Sequence, residues 1–398
     1  MVNGKIVADA SQTTAEKIVD RVCLCEERER KVKDSQPSYW KEYTNLQFVK
    51  HKLIREYLNG WFPKLGTWCG RILYVDTHAG RGKHIGGEVG SPLVALQTFL
   101  EHSWRDKILS RCDVIFMFIE ASEENASQLQ KELDGLGELP AKVSYKIYCQ
   151  NAFQLLSELA DKFERTANKL APCFMFIDPY GFSVPCEVLR KIKAYSRSEL
   201  LLTLIWRELD MAMQQPKPPQ ALKTRIDSVY AGHEWEHIKS INDFDARGEA
   251  SIQLLKQKIG GKWATYIRML GNNQKTRYFL LHLTDHEAGR DLMKQVVWKC
   301  CPENGYYARK EDDPNQQYLI KPEPDLKQLT RWLCNKLRRK PWTWAQLVES
   351  LREQIWLNKH LWQVIRELKN KGEVIATDFI GKFSQKANPT FRWGPTET

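Results

Sequence analysis

Short apolar runs alternating with helical segments constrain this 398-residue chain more than any other feature. The runs are RILYVD (71–76), DVIFMFIE (113–120), VSYKIYC (143–149), CFMFID (173–178), LLLTLIW (200–206) and TRYFLLHL (276–283). Strands this uniformly apolar are buried on both faces, which calls for a mostly parallel sheet with helices on either side. The segments between the first of them, Pro92–Leu100, Glu123–Leu133, Ala152–Glu164 and Pro185–Ala194, carry helical patterns. Ahead of the sheet, Leu46, Val49, Leu53, Ile54, Tyr57, Leu58 and Trp61 recur at helical spacing and predict an amphipathic helix packed against it. The fold class is α/β.

Ligands of such sheets bind beyond the C-terminal ends of the strands. Those ends read Asp76, Glu120, Cys149-Gln150-Asn151, Asp178-Pro179-Tyr180-Gly181 and Trp206-Arg207. After Asp76 comes a small-residue loop, Thr77-His78-Ala79-Gly80-Arg81-Gly82, then Gly86-Gly87 and a helix start at Ser91-Pro92. Glycines let backbone approach a ligand closely, so the loop suits the adenosine half of a cofactor, with Asp76, His78, Gly80 and Gly82 as contacts. Without the third glycine of G-x-G-x-x-G it fits a dinucleotide poorly. Glu120 stands where ribose hydroxyls would be accepted, and Asn151 where the adenine edge would lie. A plain glycine turn or an exposed strand-end carboxylate accounts for each position singly. Three acids in register on neighbouring strands favour a site.

Asp178-Pro179-Tyr180 and Phe182 carry a second pattern. Transfer to an amino nitrogen needs that nitrogen unstacked and aimed. A carboxylate and a proline-adjacent carbonyl can accept from the amino group while an aromatic ring stacks on the flipped base. The alternative is an ordinary Asp-Pro turn under an aromatic lid.

Charge points outward. The net charge is +11, and from Glu323 onward the chain carries 14 Lys+Arg against 8 Asp+Glu. A basic excess placed this way suggests a polyanion, nucleic acid before membrane. No apolar run approaches the roughly 18 residues of a membrane span, and the N-terminus lacks a signal-peptide core, so a cytoplasmic protein is expected. The ten cysteines contain no C-x-x-C and read as structural thiols.

The pattern divides the chain into a polar lead-in (1–38), an α/β domain (39–301) with a helical insert (211–273), a linker (302–325) and a compact C-terminal unit (326–398). Within the insert, His233-Glu234-Trp235-Glu236-His237 matches H-E-x-x-H, but it follows a glycine and has no third ligand in view, so a surface helix start is the favoured reading. In the last unit, helices over Leu326–Leu337, Thr343–Leu351 and Lys359–Lys371 precede a hairpin of Glu373–Ala376 with Thr390–Trp393 around Gly381. Three helices and a β-wing make a winged helix. Its third helix would present Lys359, His360, Gln363, Arg366, Lys369 and Lys371 to a DNA major groove, although many such units bind only protein.

An acid closing the first strand, followed by Gly-x-Gly, resembles the S-adenosyl-L-methionine (SAM) site of class I methyltransferases. The elements YVDTHAGRGKH, GSPLVAL, FIDPYGF, the Gly232 to Trp235 segment and TRYFLLHLTDHEAGRDLMKQVVWK together resemble the three-Cys-motif partner protein family (TcmP), from about Tyr39 to Trp393. The first motif and the strand ending in Asp178 are also similar to bacterial ribosomal-RNA adenine-N6 methyltransferases. The resemblance implies a Rossmann-like class I SAM-methyltransferase sheet and a radical-SAM-like companion protein with three cysteines. It assigns Asp76, Gly80 and Gly82 to the first cofactor motif, Glu120 to the ribose and Asp178-Pro179 to the amino-methyltransferase motif. Cys149-Gln150-Asn151 departs from it by lacking an acid, and D-P-Y-G by lacking the second proline of D-P-P-[YF]. The expected function is a SAM-dependent methyltransferase acting on nucleic acid at a base amino nitrogen. The alternatives are a non-catalytic nucleic-acid-binding subunit and a metal-dependent nuclease using Asp76, Glu120 and Asp178.

Overall fold

The computed structural model describes residues 43–166, 170–271, 273–303, 305, 307–310, 323–377 and 387–394. The expected lead-in, most of the expected linker and the turn around Gly381 lie outside them. One sheet contains β1 (Arg71–Asp76), β2 (Asp113–Glu120), β3 (Val143–Cys149), β4 (Leu170–Ile177), β5 (Ser196–Leu204), β6 (Trp263–Leu270), β7 (Thr276–Thr284) and β8 (Tyr307–Arg309). Their order is β3-β2-β1-β4-β5-β7-β6-β8. The first five strands are parallel, and β7 runs antiparallel to both its neighbours. This is a Rossmann-like, doubly wound sheet, with its topological switch point between β1 and β4.

Side chains alternate between two cores, as the period of a strand demands. Tyr74, Phe116, Phe118, Phe174 and Phe176 enter one; Val75, Met117, Ile119, Met175 and Ile177 enter the other. The first core is closed by α1 (Asn45–Gly66), α2 (Ser91–Leu100), α3 (Arg105–Leu109), α4 (Glu123–Asp134) and α11 (Glu287–Cys300). The second is closed by α5 (Ala152–Thr166), α6 (Cys186–Tyr195), α7 (Trp206–Met213), α8 (Gln220–Tyr230), α9 (Trp235–Lys239) and α10 (Phe244–Ile259). Helix α1 starts where a capping box forms: the Thr44 hydroxyl accepts from Gln47 N–H, and the Gln47 side chain accepts from Thr44 N–H.

Three expectations are corrected. The helical insert contains a strand, β6, whose WATYIRML sequence buries Trp263, Thr265, Ile267 and Met269 in alternation. Residues 307–309, expected in a linker, pair with β6 as β8. The strand expected to reach Trp206 ends at Leu204, because Trp206 opens α7 and packs on Phe244 and Phe279. In the H-E-x-x-H segment His233 lies ahead of α9, so its two histidines do not share one helical face. Asp227 accepts from both His233 Nδ1 and the indole N–H of Trp235.

The C-terminal unit comprises α12 (Lys327–Leu337), α13 (Trp344–Leu351) and α14 (Asn358–Asn370) with a small antiparallel sheet. That sheet joins β9 (Trp342–Thr343), β10 (Val374–Thr377) and β11 (Thr390–Trp393), in the order β10-β11-β9. The unit is fastened to the first domain by Trp298 of α11. Its indole N–H donates to the Ile355 carbonyl at 2.9 Å, and its ring lies 4.4 Å from that of His360 and 5.4 Å from that of Trp356. Lys294 donates to the Leu351 carbonyl beside it, and Arg352 pairs with Glu287. His360 is therefore an interdomain residue, 3% exposed, and is withdrawn as a nucleic-acid contact. Burial, with Lys359 and Lys294 nearby, pushes its pKa down to about 4. Lys359, Arg366 and Lys369 on the same helix and Lys371 at its C-cap are exposed, while Gln363 is half-buried and donates to Glu367.

Truncation of Trp298 to Ala removes a buried aromatic and its hydrogen bond, and is expected to cost about 3–5 kcal/mol. Denaturant unfolding measures the loss. Hydrogen exchange should show α14 losing protection before β1 to β5; uniform loss across both would contradict this interdomain role.

Candidate cofactor and substrate site

The switch point brings together the strand ends of β1, β2 and β4. Asp76, the last residue of β1, is 0% exposed, and β1 is flanked by β2 and β4 in register. Its Oδ1 accepts from the backbone N–H of His78, whereas Oδ2 is buried without a hydrogen-bond partner. Burial raises its pKa to about 7; Ser91, the His78 N–H and Lys50 pull the other way, and Asp178 adds to the rise. A carboxyl poised this way takes or gives a proton near neutrality.

The loop that follows is a closed turn rather than an open one. Gly80 N–H donates to Glu120 Oε2, and Ala79 N–H to the Ile119 carbonyl. Gly90 N–H then reaches back to the Gly82 carbonyl at 2.7 Å. Gly80 and Gly82 have φ of 66° and 87°, a conformation that side chains resist. At Gly82 a Cβ would also sit 3.1 Å from Leu129. The glycines are thus required by the turn and by the packing under it. Glu120 serves two amides, Gly80 and Ser122, and so fixes the loop to the end of β2. His78 bonds Thr77 through Nδ1 and lies 5.5 Å from the Phe153 ring. Asn151 is exposed and its side chain accepts from Gln154 N–H at the start of α5, a capping role that competes with any ligand contact.

Asp178, one residue beyond β4, meets a partner the sequence reading did not identify. Lys50 of α1 donates to its Oδ2 at 2.5 Å. Burial alone would raise the Asp178 pKa, but the Lys50 charge and hydrogen bond outweigh it, with help from Thr203 and His78, and the net shift is downward. Lys50 sits on the apolar stripe of α1 between Leu46, Leu53 and Tyr57, where a solvated lysine has no reason to be. That misplaced cation was the available signal. Beside it, His51 Nδ1 and the Tyr43 hydroxyl are 2.7 Å apart, and Tyr43 packs edge-on against His84 at 5.0 Å. Burial, and then Lys50, lowers the His51 pKa to about 3, so this roof over the strand ends is neutral at His51.

Of the aromatic pair after Asp178, Tyr180 is half-buried and Pro179 buried. Phe182 belongs to the second core and lies under the Arg225 guanidinium at 5.0 Å, so it is withdrawn as a base-stacking residue. Among the described residues no three His, Cys, Asp or Glu side chains stand close enough to hold a metal ion, which leaves Asp76, Glu120 and Asp178 without the geometry of a metal centre. No helix among the described residues is long and apolar enough to cross a membrane.

No family model and no curated protein matches the chain. Solved structures with a similar arrangement include Trm1 from Pyrococcus horikoshii in complex with S-adenosyl-L-methionine. It shares 15% identity over 65% of this chain and 60% of that one, with a TM-score of 0.36. This chain therefore spans less than two thirds of that protein. Magnesium protoporphyrin IX methyltransferase from Synechocystis PCC 6803, with bound SAH, shares 12% identity over 68% and 99%, with a TM-score of 0.33. A putative methyltransferase of Escherichia coli shares 17% over 42% and 73%, with a TM-score of 0.25.

Asp76 makes a signed prediction. Its folded pKa of about 7 lies above the ordinary 3.8, so the folded chain holds a proton that the unfolded chain releases. Its contribution to stability is full below the unfolded value, falls as pH rises through this window, and is flat above about 8. Asp76→Asn mimics the protonated form. The variant should gain on wild type from pH 4 to pH 7, by a few kcal/mol at most. Thermal melts of both proteins across that range measure the difference, which cancels the opposing titration of His51. A difference independent of pH would contradict the assignment.

Proposed function

We propose that this chain is a SAM-dependent methyltransferase acting on nucleic acid, at a base amino nitrogen, with a three-cysteine radical-SAM-like protein as companion. One observation carries the catalytic part: a buried carboxylate with an unpaired oxygen, a glycine turn bolted to Glu120, and an ion-paired Asp178 all meet at the switch point. The donor set fits the cofactor. Asp76 and the Gly80–Gly82 turn would hold its amino-acid part, and Glu120 its ribose hydroxyls. SAM, when bound, supplies an electrophilic methyl group on a sulfonium.

The chain's own residues would do the rest. Lys50 keeps Asp178 ionised and acceptor-only, the state in which it can take a hydrogen bond from a base amino group and orient the nitrogen lone pair. Lys50 is thus a positioning residue. Tyr180, half-buried two residues after Asp178, would supply the stacking surface that Phe182 cannot. The C-terminal unit, read as a winged helix, would dock the polyanion through Lys359, Arg366, Lys369 and Lys371. The companion protein rests on the resemblance to the three-Cys-motif partner family alone.

A second reading has one observation in its favour. Lys50 already occupies Asp178, and a subunit that binds nucleic acid without turnover could keep the ion pair for stability only. Calorimetric titration of SAM separates the two, with methyl transfer to bulk RNA and DNA as the second readout. On the enzymatic reading, Asp76→Ala and Gly80→Arg abolish SAM binding. Asp178→Ala leaves it within about threefold and lowers transfer by 100-fold or more, on the order expected when an orienting group is lost. Lys50→Met releases Asp178 to a higher pKa, so the acid limb of the transfer rate should move to higher pH. Absence of transfer by the wild type together with its companion, despite SAM binding, would leave the non-catalytic reading standing.

A further inference from the structure

The opposite, N-terminal ends of the strands hold a second polar constellation. A cavity of about 290 Å3 opens between α1, α11 and the N-terminal end of β5, lined by Tyr57, Trp61, Lys64, Trp68, Arg197 and Glu199, with His286 beside them. A neighbouring cleft of about 650 Å3 across the starts of β1 and β4 shares Trp68, Pro172 and Arg197 with it. Ligands of this kind of sheet bind at the other ends of the strands, so the fold itself gives no account of a site here.

Its floor is a buried carboxylate. Glu199 is 5% exposed and accepts two hydrogen bonds, from the Tyr57 hydroxyl and from His282 Nε2 at 3.1 Å. Both land on Oε2, so neither of these two hydrogen bonds occupies Oε1. Burial alone would protonate the group, but His282 and Tyr57 outweigh it and hold it ionised. Trp61 lines the same cavity with its indole Nε1 buried and without an acceptor. Gly289 closes the far wall; a Cβ there would come within 2.6 Å of Glu199 Oε2. At the mouth stand Lys64, Arg197 and His286, all exposed, and the Trp68 ring, 60% exposed.

The chemistry is that of a ligand with three parts. An N–H-bearing edge would face Glu199 and a ring nitrogen or carbonyl would face Trp61. A flat ring would lie on Trp68, where stacking against an indole is favourable and tolerant of base identity. An anionic tail would meet Lys64 and Arg197. We propose that this cavity is a second ligand site, separate from the crevice at the switch point, and that it binds a nucleotide, base inward and phosphate at the mouth. Its volume is close to the lower bound of small-molecule pockets, and its aromatic lining with few polar groups matches their composition.

The test is calorimetric titration of the full chain with AMP, CMP, GMP and UMP, then with the nucleoside and ribose 5-phosphate corresponding to the best of them. At least one nucleotide should bind, about tenfold or more tighter than either of its halves, because base and phosphate have separate partners. Trp68→Ala and Arg197→Glu alter exposed side chains and leave the core intact; each should weaken binding about tenfold. Asp76→Ala, which cripples the switch-point crevice, should leave it unchanged. Failure of all four nucleotides to bind overturns the proposal. So does binding that vanishes in Asp76→Ala and survives both Trp68→Ala and Arg197→Glu, because the nucleotide is then in the switch-point crevice. Loss of SAM binding with retained nucleotide binding would sink the proposed cofactor site and leave this one intact.

Discussion

Helix α1 is held to the sheet by two carboxylates, and both constellations depend on that clamp. Lys50 pairs with Asp178 beyond the C-terminal end of β4, and Tyr57 donates to Glu199 near the N-terminal end of β5. The two residues are seven positions apart, two helical turns, so they project from one face about 10 Å apart along the axis. Between them Leu53 and Ile54 are buried in the same core as Phe174 and Tyr74. Apolar burial supplies the adhesion, which has no direction. The two charged or polar contacts set where along the strands the helix stops. An unpaired charge at either end would be costly inside an aromatic core, so sliding by one turn is strongly opposed.

The same low-polarity interior separates the protonation states of neighbouring acids. Asp76 and Asp178 share one crevice, and each affects the other. Asp76 has the Ser91 hydroxyl, the His78 amide and a more remote Lys50 to offset burial, and it still rises; Asp178 has the Lys50 ammonium in contact, so it falls. Two carboxyl groups with pKa values pushed apart in one pocket divide into an acid and an acceptor. The division follows from one side chain on α1, which gives a mechanical reason for the helix to be fixed as tightly as it is. Glu199 repeats the principle at the other ends of the strands, with a phenol and an imidazole in place of the lysine.

The sheet was legible because its central strands are apolar on both faces and its turns carry the acids, signals that are local; β3, expected to be buried likewise, is an edge strand whose Ser144 and Lys146 are exposed. The strand ends that meet at the switch point, Asp76, Glu120 and Asp178, follow directly from strand order once the sheet is parallel. What escaped the reading was non-local or short. WATYIRML has the alternation of a strand, yet it lies between helices and a glycine turn where the surrounding pattern is helical. β8 and β9 have three and two residues, too few for any period to register. Phe182 and His360 look like surface aromatics in the sequence because their burial is set by Arg225 and Trp298, residues 43 and 62 positions away. Lys50 is the instructive miss, since its spacing placed it on the buried stripe and only its chemistry argued otherwise.

The C-terminal unit is joined to this clamp through a continuous packed path. Trp298 of α11 is gripped by Ile355, Trp356 and His360, while the preceding turns of the same helix, through Leu292, Met293 and Val296, pack on α1. Gly60 lets Leu292 approach α1 closely, and Lys299 pairs with Glu56 at 2.5 Å. Any displacement of α14 by a docked polymer therefore bears on α11 first and on α1 next, the helix that carries Lys50. Contiguous packing is the physical precondition for coupling between two sites and not coupling itself. It offers one contiguous route, beside the separate ion pair of Lys256 with Glu353. Trp298 is the interdomain residue with contacts on both sides of that path, and the ion pair of Lys50 with Asp178 is the point at which it reaches a group able to do chemistry.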